Sequence, residues 1–241
     1  MDLMNILSLL GGLGLFLFGM KLMGEGLELV AGSRLKALLE KITSNPLLGV
    51  LVGILVTGAI QSSSATTVMV VGFLNAGLLK LEQAVYIIMG ANIGTTVTSF
   101  LIGLKISVLA PVAVFVGIIM IMAFKKKLVQ HIGMVIIGFG ILFTGMEAMS
   151  GAMAPLKDVP EFVALMGKFS NPVLGILAGA ILTAVIQSSS ASVGILQALA
   201  ASGAIHLGSA IYILFGQNIG TCITALLASI GTNRAGKRAA V

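Results

Sequence analysis

The sequence predicts an all-α integral membrane protein of two inverted-topology repeats, each with a re-entrant helical hairpin and a broken transmembrane helix. Three observations predict it. First, 58% of the 241 residues are hydrophobic and 9% are charged, with a mean hydropathy of +1.13. A soluble domain carries about 25% charged residues, so these cannot cover a soluble surface. Second, Gln61-Ser62-Ser63-Ser64 recurs as Gln187-Ser188-Ser189-Ser190, an offset of 126 residues, and both copies lie in long apolar stretches. Polar runs are costly in hydrocarbon unless they find partners or line a cavity. Third, Pro46 to Leu79 carries no charge. That run is too long for one span of about 20 residues and too short for two spans and a turn.

The repeat register holds without a gap. Asn45-Pro46 falls on Asn171-Pro172, and Gly49, Gly53 and Thr57 fall on Gly175, Gly179 and Thr183. Tyr86 to Thr95 falls on Tyr212 to Thr221, and Gly12, Gly14 and Gly19 fall on Gly138, Gly140 and Gly145. Repeat one covers about 11–104 and repeat two about 137–230, with an extra span at about 106–124. The whole of 1–241 thus forms a single transmembrane transport domain. Internal repeats of this size are typical of secondary transporters. The bland alternative is a duplicated bundle without a site.

Each repeat opens with an apolar helix, about 6–30 and 128–149. An amphipathic stretch follows, about 31–44 with Arg34, Lys36, Glu40 and Lys41, and about 150–170. In the uncharged run from Pro46, two half-length helices fit, with Gln61–Ser64 at the tip between them. The next helix, 82–104, is interrupted by Gly90-Ala91-Asn92-Ile93-Gly94-Thr95-Thr96, a poor helix interior that predicts unwinding near the midplane. Pro111, near the start of the span at 106–124, costs less there than at its centre.

Charge counting orients these elements. With the N-terminus outside and the hairpin returning to its own side, Arg34, Lys36, Lys41, Lys80, Lys125, Lys126, Lys127, Arg234, Lys237 and Arg238 face the cytoplasm. Lys105, Lys157 and Lys168 face outside, which satisfies the positive-inside rule, and Lys21 falls inside the first span. The chain then crosses the membrane three times between equivalent points. An odd number inverts the second copy, so the two serine tips approach from opposite faces.

The composition excludes several functions. The net charge of +6 sits in short breaks between apolar runs and offers no face for nucleic acid. Cys222 is the one cysteine, so no intramolecular disulfide forms, and it is expected to be a packed, inert thiol. Met1-Asp2-Leu3 lacks the basic start of a signal peptide, so the first apolar run is expected to be a mature span. His131 and His206 have no evident nucleophile partner and no hydrolase or nucleotide motif occurs, so the chain is not expected to be an enzyme.

The polar motifs suit ions. Backbone N–H groups at the start of a half-helix are unpaired and meet the positive end of its dipole. Two serine tips facing each other make an anion site without lysine or arginine, which matters because the apolar core offers almost no cation. Exposed carbonyls with Gln, Ser, Thr and Asn oxygens make an oxygen-only site suited to Na⁺. Structural alternatives stay open. Gln61 and Gln187 also suit interhelical hydrogen bonding, and the serines suit close helix packing. Asn92 and Asn218 also suit capping a helix break, and Thr95, Thr96 and Thr221 suit bonding back to their own helix. Thr57 and Thr183 are ordinary in membrane helices. Glu25 and Glu28 are expected near the cytoplasmic interface, and Asp158 and Glu161 in a solvated outer loop.

With residues 45–67 and 171–193 in view, the chain resembles the type II sodium–phosphate cotransporter family, in its bacterial branch. The duplicated Gln-Ser-Ser-Ser carries the resemblance. It implies inorganic phosphate as substrate, held by Gln61, Ser62, Ser63, Ser64, Gln187, Ser188, Ser189 and Ser190. It implies Na⁺ as the co-transported ion, with Ser64, Thr66, Asn92, Thr95, Thr96, Ser190, Asn218 and Thr221 as candidate ligands and no organic cofactor. The order of hairpin and broken helix also resembles sodium-coupled dicarboxylate symporters and implies alternating access by an elevator-like or rocking motion. The expectation is a multi-pass protein of the cell (inner or plasma) membrane, in contact with lipid, with a homodimer as an open arrangement. The alternatives are a symporter of another oxyanion or dicarboxylate, or an uncoupled phosphate channel or regulatory membrane protein. Bacterial relatives continue into further helices, whereas this chain stops at Val241, so it reads as either a minimal form or a truncation.

Overall fold

The computed structural model describes residues 3–31, 45–103 and 107–241, which are helical apart from short turns and joints. The amphipathic stretch expected at about 31–44, with Arg34, Lys36, Glu40 and Lys41, and Lys105 lie outside the described residues. In chain order the helices are α1 (Leu3–Ala31), α2 (Pro46–Ile60), α3 (Ser63–Asn75), α4 (Leu81–Gly94), α5 (Thr96–Gly103) and α6 (Ala110–Ala123). There follow α7 (Lys127–Met153), α8 (Pro160–Lys168), α9 (Pro172–Ile186), α10 (Ser189–Ala201), α11 (Leu207–Ala228) and α12 (Arg234–Ala240). Short 3-10 turns precede α6 and α8.

Among the described residues four segments are long and apolar enough to cross a membrane: Leu3–Ala31, Leu81–Leu101, Lys127–Asp158 and Leu207–Ala228. Large apolar side chains such as Leu47, Phe100, Met122 and Val185 point outward, as lipid-facing surfaces require and soluble surfaces avoid. Helix α6 has 14 residues, or about 21 Å, shorter than the span expected at 106–124.

The expected half-helices are present in both repeats. Asn45 caps α2 through its side-chain oxygen, which accepts from the N–H groups of Leu47 and Leu48, and Pro46 begins the helix. Asn171 and Pro172 do the same for α9. Both helices end at a glutamine in the left-handed region, Gln61 at φ 58° and Gln187 at φ 56°. Ser62 and Ser188 then cap α3 and α10. Asn171→Ala is expected to destabilise the chain by about 1 kcal/mol, while Asn171→Asp keeps the cap. Thermal unfolding in detergent checks this, and equal midpoints for the two variants would refute it.

The broken helix needs correction. In repeat one the described residues show one interruption, a turn at Thr95 within the expected segment, while Gly90–Gly94 is α-helical. In repeat two α11 runs unbroken through Gly216–Thr221. The glycines serve packing instead. A Cβ on Gly90 would strike the carbonyl oxygen of Val50, and one on Gly53 that of Ile87. Gly216 and Gly179 stand in the same relation to Ile176 and Ile213. Small residues four apart let membrane helices approach backbone to backbone.

These contacts fix directions. Gly49 meets Tyr86, Gly53 meets Gly90, and Gly94 meets Thr57, so α2 and α4 run parallel. Gly175, Gly179 and Gly220 set α9 parallel to α11 in the same way. Helices α3 and α10 must therefore bring the chain back. By contrast, α1 and α7 are antiparallel: Gly12 lies at Gly145 and Met149, Gly19 at Gly138 and Leu142, and Gly26 at Val135. Phe16, Met23, Leu142, Phe143 and Met149 fill the core between them. Val70, Leu79, Ala84 and Ile87 form a second cluster, and their repeat partners Leu196, Ile205, Ala210 and Ile213 form a third.

Candidate functional site

The two serine segments, 126 residues apart, line one cavity of about 300 Å³. Gln61, Ser62, Ser63 and Ser64 form one part of its wall, and Gln187, Ser188, Ser189 and Ser190 another. Each tip has the same build. The left-handed glutamine donates its backbone N–H to the threonine one turn back, Gln61 to Thr57 and Gln187 to Thr183, at 2.7 Å in both copies. The next serine turns its hydroxyl onto the new helix, Ser62 accepting from Ala65 N–H at 3.1 Å and Ser188 from Ala191 N–H at 3.3 Å. The third residue of each motif, Ser63 or Ser189, is buried, and the fourth is half-buried. The first N–H groups of α3 and α10, with no carbonyl of their own helix to meet, thus begin at the cavity wall. Gln61 also donates its side-chain Nε2 to the Gly58 carbonyl.

The sodium candidates divide. Ser64 and Ser190 line the first cavity. Asn92, Thr95, Thr96 and Asn218 come together from both repeats in a second cavity of about 270 Å³, which shares Ser189 with the first. Much of its remaining wall is apolar, with Val193, Leu196, Leu207 and Leu214. Thr66 and Thr221 line neither. Thr66 is buried behind the first tip, donating to Ser62 O at 3.0 Å and accepting from Thr57 Oγ1 at 3.1 Å. Thr221 donates to Gln217 O at 2.9 Å in its own helix, and Thr95 and Thr96 donate back to the α4 carbonyls of Ala91 and Ile93.

Repeat two is not the same behind its tip. Thr183 and Ser192 occupy the places of Thr57 and Thr66, yet their hydroxyls have no hydrogen-bond partner. Gln217 replaces Ala91, is buried, and donates Nε2 to Ser192 O at 2.9 Å, leaving its Oε1 without a partner. Thr183 is expected from sequence to be an ordinary membrane-helix threonine, while Ser192 and Gln217 carry no expectation, although the exchange of alanine for glutamine at an otherwise matched position marks Gln217.

Two further expectations fail. The cavity does have a cation. Lys21, Glu25 and Glu28 of α1 line it, and Lys21 Nζ lies 3.7 Å from Glu25 Oε1. The spacing of four and seven residues places all three on one helix face, a signal present in the sequence although Lys21 falls inside the first span and the glutamates are expected near the interface. Cys222 is exposed rather than packed. Gly216, Gln217 and Gly220 form the packed face of α11, and Cys222 lies about 200° around the helix from Gly220. Asp158 and Glu161 are exposed as expected, within short helices rather than a loop.

A family model described as Na+/Pi-cotransporter matches residues 15–151 and 160–236. The uncharacterized protein YqeW of Bacillus subtilis (strain 168) is 35% identical over 228 residues, covering 93% of this chain and 73% of that protein. YjbB of Escherichia coli (strain K12), named as a candidate inorganic phosphate export protein, is 29% identical over 240 residues, 99% of this chain and 44% of its own length. Human sodium-dependent phosphate transport protein 2B is 40% identical over 102 residues, 42% of this chain and 15% of that protein. No solved structure matches. The duplicated motif and the match over most of the length place this chain in the Na⁺/Pi-cotransporter family.

Proposed function

We propose that this chain binds inorganic phosphate between its two Gln-Ser-Ser-Ser tips and carries it across the membrane together with Na⁺. The observation that carries the reading is the convergence of both segments on one cavity. Helix starts and serine hydroxyls supply donors suited to a tetrahedral oxyanion. Oxygen-only groups suit Na⁺, and Gln197, whose buried Oε1 has no hydrogen-bond partner, adds to the candidates of the second cavity.

The hairpins are re-entrant in this reading. Helices of 15 and 13 residues reach about 22 and 20 Å, short of a core of about 30 Å. Inversion of the repeats is supported by the antiparallel packing of the equivalent helices α1 and α7. The protein is then a multi-pass component of the cell membrane with its N-terminus outside, working by alternating access. Direction follows the gradients, and the name of the Escherichia coli relative makes export a second reading.

The test is uptake of radiolabelled phosphate into proteoliposomes under an inward Na⁺ gradient. Accumulation is expected only with Na⁺, and Ser63→Ala or Ser189→Ala is expected to lower it at least tenfold, on the order of one lost charge-assisted hydrogen bond. Uptake indifferent to Na⁺ would sink the coupling. Competition by sulfate or a dicarboxylate at concentrations well below those at which unlabelled phosphate competes would reassign the substrate.

A further inference from the structure

Every polar residue of the Gln-Ser-Ser-Ser motifs is present twice, once per repeat. The charged residues of the cavity are not. At the positions matching Lys21, Glu25 and Glu28, repeat two has Glu147, Gly151 and Ala154. Among the described residues the cavity therefore carries its charge on one wall, α1, which lies directly against the first tip. A Cβ on Gly24 would sit 3.2 Å from Ile60 O and 3.4 Å from Gln61 Cβ. Lys21 and Glu25 flank that contact.

Among the described residues, one positive and two negative groups face the cavity, so an oxyanion entering it meets repulsion from them unless charge is rearranged. The Lys21–Glu25 pair is easily rearranged. The side chains are 72% and 49% exposed, the separation is 3.7 Å, and both belong to one helix. A solvated pair of this kind is weak, and a phosphate offers an ammonium group more negative charge than one carboxylate does.

We propose that Lys21 is an exchangeable cation of the serine cavity, held by Glu25 in the absence of substrate and transferred to the oxyanion when it binds. This rests on the phosphate reading above. The transfer leaves Glu25 and Glu28 uncompensated beside the loaded cavity. Their charge is then available to Na⁺, so the exchange itself makes anion binding favour a cation. The lysine sets affinity for the anion, and Glu25 sets how much Na⁺ that affinity requires.

The experiment is phosphate uptake by the reconstituted full chain, titrated in phosphate and in Na⁺. Lys21→Met is expected to raise the half-saturating phosphate concentration about tenfold or more, and Lys21→Arg less than about threefold. Glu25→Gln is expected to act in the opposite direction, lowering half-saturating phosphate severalfold and reducing the Na⁺ needed to reach it. A glutamate that merely supports the fold would worsen both when replaced. Lys21→Met with the half-saturation of the parent chain, or Glu25→Gln weakening phosphate, overturns the proposal while leaving the cavity reading intact. A parent chain with no saturable phosphate uptake removes the cavity reading and this proposal with it.

Discussion

Gly90→Val is expected to leave no folded protein to purify. A side chain at this position would meet the carbonyl oxygen of Val50 and the Cα of Gly53, both backbone atoms of α2. A clashing side chain can change rotamer, but a backbone cannot. Relief therefore requires α2 and α4 to separate along their contact, which also carries Gly49, Gly53 and Gly94. Over-packing of well-packed interiors costs about 1–3 kcal/mol where side chains can adjust, and more where they cannot. Without a hydrophobic force between helices in lipid, this close approach is a main source of their association. Gly216→Val should do the same in repeat two, where the opposing atom is the Ile176 carbonyl. Gly72→Ala is the control. Nothing lies within 4 Å of a Cβ there, and it sits inside α3, so the change should be neutral or stabilise by about 0.5–1 kcal/mol. Size-exclusion profiles of detergent extracts separate these cases. A monodisperse Gly90→Val protein at normal yield would show that the contact is not tight.

That prediction also marks where the sequence misleads. Glycines in a helix have two uses, to break it or to let another helix close in, and a single segment does not distinguish them. Gly90 and Gly94 are spaced by four, as are Gly49 and Gly53, and the two pairs explain each other only once α2 lies on α4. The reading of a broken helix considered one member of the contact in isolation. By contrast, the tip at Gln61–Ser64 between two half-length helices was legible from the residues alone, because the length of the uncharged run sets it, whereas the Asn45 and Asn171 caps and the left-handed glutamines emerge only in the structure. The 126-residue register extends to the packing, where the clusters around Ile87 and Ile213 are images of one another. The hidden features are those that depart from the repeat: the charges of α1 and the buried Gln217. A duplicated motif draws attention to what is duplicated, and the asymmetric residues need the third dimension before they join the site.

Gln187→Ala and Gln187→Gly are expected to lose uptake equally while differing in stability. Gln187 sits at φ 56° and Gln61 at φ 58°, a region that costs a residue with a Cβ about 1–2 kcal/mol and costs glycine almost nothing. If these positions only ended α9 and α2, glycine would serve better at both. A glutamine in the strained place twice over implies that its carboxamide is needed where it points, and both side chains line the cavity with the serines. Gln187→Ala keeps the strain and removes the carboxamide. Gln187→Gly removes both, and should melt about as high as the parent chain or higher. Both should reduce Na⁺-driven phosphate uptake by about a hundredfold, comparable to losing a hydrogen bond to a charged group and leaving its partner unsatisfied. If Gln187→Gly transports as the parent does, the residue is a helix terminator and the anion is held by the serines alone. If Gln187→Gly is instead less stable than Gln187→Ala, the left-handed turn is not strained and the inference from conformation to function fails at its first step.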